Sequence, residues 1–479
     1  MESKNVLDKD KIIQELIEQV KQLNSRLAFY EDRILKREEE NAELKIEIIE
    51  LKARLNKDSS NSSKPPSSEG YKKKPALPKA KNGKQGGQKG HEGKTLKQSS
   101  DPDQVISCLP EPCKCGHKFL SSELALAERR QVFDLPKPRL EITEYQIHKG
   151  TCPVCGTNCR GNTPEGVNAP VQYGTGVKSY MVLLGTHFNV PFKKVQLLFG
   201  DLFGYPINES TAFSAGKQCY ERLTKTEGII KARIADSQTA HADETGIRVA
   251  GKLGWLHAAT SHSYTYLFMH EKRGRMALES EKSLLNDFSG WLVHDCWSSY
   301  FRFHKFKHAL CGAHILRELE YLIEYYHSKW AKVFKQFLLS IYQIPFEERI
   351  KRRQLINCRY DKICDYGIKS EPLPVKTPGK RGRYKRSKGL NLVERLIREK
   401  IAVLAFAFNS EVPFTNNLAE RDIRPSKVKQ KVSNCFRTFK GAEIYARIQG
   451  FISTARKNNR NVFAELCNTF DGHNFITEM

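Results

Sequence analysis

The sequence predicts a multidomain chain: an N-terminal coiled coil, a small zinc-binding module, a helical region, and an α/β domain with a helical insertion and a helical C-terminus. Three observations carry this. A heptad repeat runs through residues 6–56, two short cysteine clusters fall within 105–162, and from 238 onward short β-type runs bounded by glycine give way to helical periodicity. With 479 residues and 39% hydrophobic content, the chain is long enough for two or three domains with a sizeable core. The expected divisions are a leucine-zipper coil (6–56), a basic linker (57–104), the zinc module (105–162), a helical region (163–236), the α/β domain (237–430, insertion about 319–410) and a helical end (431–479).

The coiled coil follows from stepping by three and four from Ile13. The a positions are Ile13, Val20, Leu27, Ile34, Asn41, Ile48 and Leu55, and the d positions are Leu16, Leu23, Tyr30, Arg37, Leu44 and Leu51. Only Asn41 and Arg37 interrupt the apolar seam, and β-branched residues at a with leucines at d favour a parallel pair, so a homodimer or higher oligomer is expected. A single amphipathic helix packed on its own domain is the alternative. No Gly or Pro breaks residues 6–57.

Residues 57–100 hold eleven lysines, many Ser, Pro and Gly, and almost nothing apolar, a composition that cannot bury enough surface to fold alone. The whole chain carries a formal charge of +25. Such a balance points to a polyanionic partner, because each Lys or Arg that meets a phosphate releases condensed counterions. No apolar run approaches the ~18 residues a spanning helix needs, so no membrane is expected. The first residues, MESKNVLDKDKIIQEL, do not read as a signal peptide. The thirteen cysteines fit reduced thiols or metal ligands, and a cytoplasmic, nucleoid-associated location is expected.

In the module, EPCKCGHKF is followed by GTCPVCGTNC. Cys152 and Cys155 make a good zinc knuckle, and Cys113 with Cys115, spaced C-x-C, would supply the first pair; Cys108, His117 or Cys159 are substitutes. Four protein ligands would make the Zn²⁺ structural. Between 191 and 223 the sequence reads helix, tight turn at Gly204 and Pro206, helix, with Asn208 or Ser210 as the second cap; this resembles a helix-turn-helix, and two ordinary packed helices read as well.

Strands are expected at Gly246–Ala250, Trp255–Thr260, Tyr264–His270 and Gly290–His294, then a helix from about Ala313 to Glu347, a basic loop GKRGRYKRSKG, a helix over about 391–409 and a helical basic end. Three acids stand out: Asp243 in a strand-like run, Asp295 directly after Trp291–Val293, and Glu420 near the start of a helix capped by Thr415 or Asn416. Carboxylates at strand ends with one on a helix can cage Mg²⁺. Taken singly, each reads equally well as a cap or an ion-pair partner. Glu244, Asp422 and Glu318 are rivals, with Glu244 expected on the opposite face of the strand from Asp243.

The segments HADETGIRV, HDCWSSYF, HALCGAHILRELE, PFTNNLAERDIRPSKVKQKVSNCFRT and GAEIYARIQGFISTARKNNRNVF, with NSSKPPSS and GGQKGHEGK in the linker, resemble transposases of the insertion sequence 66 family over nearly the whole chain. The family usually has C-x-x-C where this chain has Cys113 and Cys115. The resemblance implies an RNase H-like domain with an Asp-Asp-Glu triad at Asp243, Asp295 and Glu420, 52 and 125 residues apart. It implies Mg²⁺ or Mn²⁺ at the triad, DNA element ends and target as partners, and accessory proteins of the same element. The pair Cys311 and His314 is similar to a C-x-x-H feature of several such enzymes. His314, Arg317, Asn416, Asn417, Arg421, Arg424 and Lys427 are expected to contact DNA. A non-catalytic DNA-binding protein and a nuclease that does not join strands are the alternatives.

Overall fold

The structure is a computed structural model that describes residues 2–55, 95–372 and 386–478. The linker up to residue 94 and residues 373–385 of the basic loop lie outside the described residues. The chain divides into two compact units. One holds α1, residues 171–195 and everything from 208 onward; the other holds the cysteine-bearing segment up to residue 170 with residues 196–207. The chain is thus a mixed helical and sheet protein with a long N-terminal helix and a central sheet.

Helix α1 (Glu2–Leu55) is one unbroken 54-residue helix, as the lack of Gly and Pro predicts. Its seam is open: Leu16, Leu23 and Leu27 are 54%, 58% and 60% exposed.

In the smaller unit, β1 (Lys149–Thr151) and β2 (Asn158–Arg160) form an antiparallel hairpin around the Cys152–Cys155 turn. Gly156, at φ +73°, turns that loop, and its N–H donates to Cys152 O at 2.9 Å.

Four helices precede the sheet: α2 (Thr175–Val182), α3 (Phe192–Phe203), α4 (Glu209–Arg222) and α5 (Thr224–Ala235). The turn expected from the sequence is present. Gly204 ends α3 in the left-handed region, and Asn208, rather than Ser210, caps α4 by accepting from Ser210 N at 3.3 Å. Helices α4 and α5 belong to the same compact unit as the sheet, with α5 packed on its edge.

The sheet contains β3 (Thr239–Val249), β4 (Lys252–Thr260) and β5 (Thr265–His270), then, past the short α6 (Arg275–Leu278), β6 (Trp291–His294) and β7 (Lys307–Leu310). Its order is β5-β4-β3-β6-β7. The first three strands form an antiparallel meander, and β6 and β7 run parallel to β3. Ala250 and Gly251 both take positive φ, the two-residue turn whose twist suits a hairpin. Strand β3 starts seven residues before its expected start, and β7 had no counterpart among the expected strands.

The expected single helix over 313–347 is three: α7 (Gly312–Tyr326), α8 (Lys329–Gln343) and α9 (Phe346–Lys351). His327 at φ +51° ends α7, Ser328 caps α8, and Pro345 starts a new element. These helices, with α10 (Arg353–Ser370), α11 (Lys388–Arg398), α12 (Lys400–Val403) and α13 (Ala405–Phe408), bury Trp330, Phe334, Tyr360 and Leu396 in their own core beside β6 and β7. Three final helices, α14 (Asn417–Ser433), α15 (Phe439–Lys457) and α16 (Val462–Asp471), close the chain. Ile423 of α14 and Ala442 and Ala446 of α15 cover the sheet face that carries Ile247 and Val249. Among the described residues no helix is long and apolar enough to cross a membrane.

Candidate functional site

Strand register alone brings two of the three acids together. On parallel neighbours β3 and β6, His241 pairs with Val293. Two residues further on each chain stand Asp243 and Asp295. Residues i and i+2 share a face, so Asp243, in the middle of β3, and Asp295, one residue past the end of β6, lie beside each other on neighbouring strands, near enough for the Asp295 charge to raise Asp243.

The third acid is delivered by α14. The N-cap residue Asn416 is 1% exposed. Its Nδ2 donates to Ala242 O at 2.8 Å, and its Oδ1 accepts from His241 Nδ1 at 2.9 Å. Lys427, further along α14, donates to Gly246 O at 2.5 Å. These contacts lay the helix along β3 on the Asp243 face, with Glu420 one turn beyond the cap.

The electrostatics record the convergence. Burial, then the charges of Glu244, Asp295 and Glu420, push the Asp243 carboxyl up to about 8, against one favourable backbone bond from Glu244 N. Asp295 Oδ1 accepts the Trp297 N–H at 3.0 Å. Glu420 Oε1 is buried with no hydrogen-bond partner. Among the described residues, no Lys or Arg pairs with any of the three acids; the nearest basic atom is His314 Nδ1, 4.0 Å from Glu420 Oε1. Partly buried carboxylates that lack a counter-charge, with Asp243 raised by its neighbours, are of a kind that a cation would relieve.

The rival acids are all satisfied. Glu244, on the opposite face as expected, takes Arg273 at 2.7 Å and the Tyr300 hydroxyl at 2.7 Å. Arg273 is itself held over the rings of Trp255 and Trp297. Asp422 accepts from Thr260, Thr265, Ser453 and Lys457. Glu318 pairs with Arg395.

A second group meets Glu420 from α7. The donor atoms of Cys311, His314 and Glu420 all lie within 4.8 Å of one another. Burial pushes the Cys311 thiol up, but the His314 imidazole and the Asn416 N–H outweigh it, and the net shift is downward. The close approach of α7 needs Gly312, where a Cβ would sit 2.2 Å from the Phe414 ring.

Of the remaining residues expected at DNA, Asn417, Arg421 and Arg424 are exposed on α14 and Arg317 is half-buried on α7. Lys427 and Asn416 are turned inward and spent on β3. The buried amide of Asn416 braces the helix and is closed to a DNA contact. His241 and Tyr300 lie within the segments HADETGIRV and HDCWSSYF but were not singled out there, and Arg273 lies in none of the quoted segments.

The four module cysteines form two neighbouring pairs. Hydrogen bonds from Thr157, then Cys152, bring the Cys155 thiol down to about 7, and the Cys115 backbone lowers Cys113. The pairs are not gathered into one ligand cluster; among the described residues such a cluster occurs at Cys311, His314 and Glu420. His117, a substitute ligand, is paired with Glu123 at 3.0 Å.

A parallel strand pair bears two acids and a helix brings a third toward them, though the three are not gathered as closely as Cys311, His314 and Glu420. A family model described as Transposase IS66 family matches residues 170–444, more than half of the chain and the whole of this site, and the chain belongs to that family. A second model, a family of unknown function (DUF6444), matches residues 6–97. No curated protein matches the chain.

Proposed function

We propose that this transposase cuts DNA at element ends and joins the freed ends to a target, using Asp243, Asp295 and Glu420 as ligands for Mg²⁺ or Mn²⁺ on an RNase H-like sheet. The observation that carries the reading is the Asp243 carboxyl, pushed up by burial and by the charges of Glu244, Asp295 and Glu420 with no Lys or Arg among the described residues pairing it, while every rival acid is satisfied. The strand order, with an antiparallel meander followed by parallel strands and the first acid on the central strand, supports the same reading. Bound divalent ions would activate the attacking oxygen and stabilise the leaving one.

The protein's own part would be to bring the three carboxylates near one another, where the raised Asp243 shows that their charges are felt until a cation arrives. Exposed Arg421 and Arg424, with Asn417 and Arg317 nearby, would place the phosphate backbone over the acids. In-line attack by water and then by a 3′ hydroxyl requires no covalent intermediate on the enzyme. The α1 seam would pair protomers, and Cys113, Cys115, Cys152 and Cys155 would hold a structural Zn²⁺.

The test is cleavage and joining of a labelled element-end duplex with Mg²⁺ or Mn²⁺, comparing wild type with Asp295→Asn. Product from wild type alone, with DNA binding retained in both, is expected. Equal activity in both proteins would remove Asp295 from the site. Cut ends without joined product would favour a nuclease.

A further inference from the structure

A set of donor atoms of different chemistry also converges on Glu420. His314 Nδ1 and Glu420 Oε1 face each other at 4.0 Å, both are buried, and neither makes a hydrogen bond of ordinary geometry, although the Cys311 thiol lies near enough to the His314 ring to raise it. The gap is too wide for a hydrogen bond, and two orphaned polar atoms in one buried place call for a shared ligand. Cys311 Sγ completes the group, all three atoms lying within 4.8 Å of one another. Tetrahedral bonds of about 2.0–2.3 Å would put such atoms roughly 3.3–3.8 Å apart, so the cluster closes on an ion with small side-chain movements.

The donor set selects the ion. Magnesium takes oxygen and keeps its waters, and gains nothing from sulfur. A thiolate with an imidazole selects zinc or a neighbouring late first-row ion. The backbone prepares the sulfur: Cys311 is the N-cap residue of α7, and its Sγ already accepts the Asn416 N–H at 3.2 Å. His314 follows one turn later on the same face.

We propose that Cys311, His314 and Glu420 form a binding site for a zinc-class divalent cation, with one position open, and that a cation held there withdraws Glu420 from Asp243 and Asp295. The first half stands on the geometry alone. The second rests on the reading of Glu420 as a triad ligand.

The test uses the full-length, metal-free chain titrated with Co²⁺ as a spectroscopic substitute for Zn²⁺. One equivalent with thiolate charge-transfer absorption is expected to weaken by roughly tenfold or more in both Cys311→Ser and His314→Ala. It is expected to persist in Asp243→Asn and Asp295→Asn. Any signal from the four module cysteines is common to all variants and cancels in the differences. If both Cys311→Ser and His314→Ala fold, by circular dichroism, and bind Co²⁺ as wild type does, the site is overturned. A cobalt signature that behaves as expected in a protein that never cleaves DNA would sink the proposed function and leave this site standing. With cleavage established, Zn²⁺ added to the Mg²⁺-activated enzyme should suppress wild type and spare Cys311→Ser. Equal suppression would overturn the coupling through Glu420.

Discussion

The carboxamide of Asn416 accepts the Nδ1–H of His241 at 2.9 Å, and this bond ties the start of α14 to the strand that carries Asp243. The ring's proton can be placed because the other end of the amide donates to Ala242 O. Burial keeps His241 neutral, bringing it down to about 4, so the tether survives throughout the neutral range. Asn416→Ala would orphan the His241 N–H and the Ala242 carbonyl inside the protein, at a cost of about 2–4 kcal/mol. Urea unfolding should show that loss, and strand cleavage should fall because Glu420 is no longer held over the strand pair. DNA affinity should stay within about twofold. Lost affinity with unchanged stability would instead return Asn416 to the DNA-contacting role its sequence context suggests.

The Asp243 carboxyl gives the ion-free protein a pH signature. Its folded value, about 8, lies above the ordinary 3.8 because burial, then the neighbouring acids, disfavour the charged form. The folded state therefore holds a proton that the unfolded state releases between these values. The associated stability is complete below 3.8 and is lost as pH climbs to about 8. Thermal unfolding in chelator should show a midpoint falling across that window for wild type and a flatter profile for Asp243→Asn. Added Mg²⁺ should restore wild type most strongly at the alkaline end, where the carboxylate is already bare. A parallel pH dependence in both proteins would count against a shifted Asp243.

In the sequence the three acids were only candidates among several, and it was the family resemblance that singled them out. Asp243 and Asp295 each sit in or beside a short apolar run, and strand parity already set Glu244 on the other face. What could not be read locally was satisfaction. Glu244, Asp422 and Glu318 resemble Glu420 as sequence, and only the fold shows that Tyr300, Lys457 and Arg395 reach them from 35 to 77 positions away. The same limit applies to Asn416: its place at a helix start was visible, but its burial against β3 depends on contacts 174 and 175 residues distant. Strand β7 was missed because four residues on a parallel edge, two of them Lys307 and His308, carry no apolar run to announce them.

The open seam of α1 sets an expectation for assembly. Leu23 and Leu27 are more than half exposed, at d and a positions of the repeat. Burying such leucines between two helices stabilises by about 1.5–3 kcal/mol each. Replacing both with Glu should therefore shift the mass in solution toward monomer, read by light scattering at matched concentrations. Helix content should fall as the isolated helix frays, while the central sheet remains folded. An unchanged mass would mean that protomers pair through another surface or not at all.

Arg421 and Arg424 test how the DNA is held. They lie on the exposed side of α14, three positions apart, so both project from one face beyond Glu420. Contacts to phosphate carry no sequence information, so Arg421→Ala and Arg424→Ala should weaken element-end and unrelated duplexes alike. Each lost phosphate contact should also lower the slope of log affinity against log salt by about 0.9. Fluorescence anisotropy over a range of salt concentrations gives both quantities. A loss confined to element-end DNA, with the slope unchanged, would instead place these guanidiniums against base edges. Cleavage by the double variant at saturating DNA distinguishes holding from chemistry. If the arginines only hold the backbone, turnover recovers once DNA is in excess; if it does not, they also align the scissile phosphate with Asp243, Asp295 and Glu420.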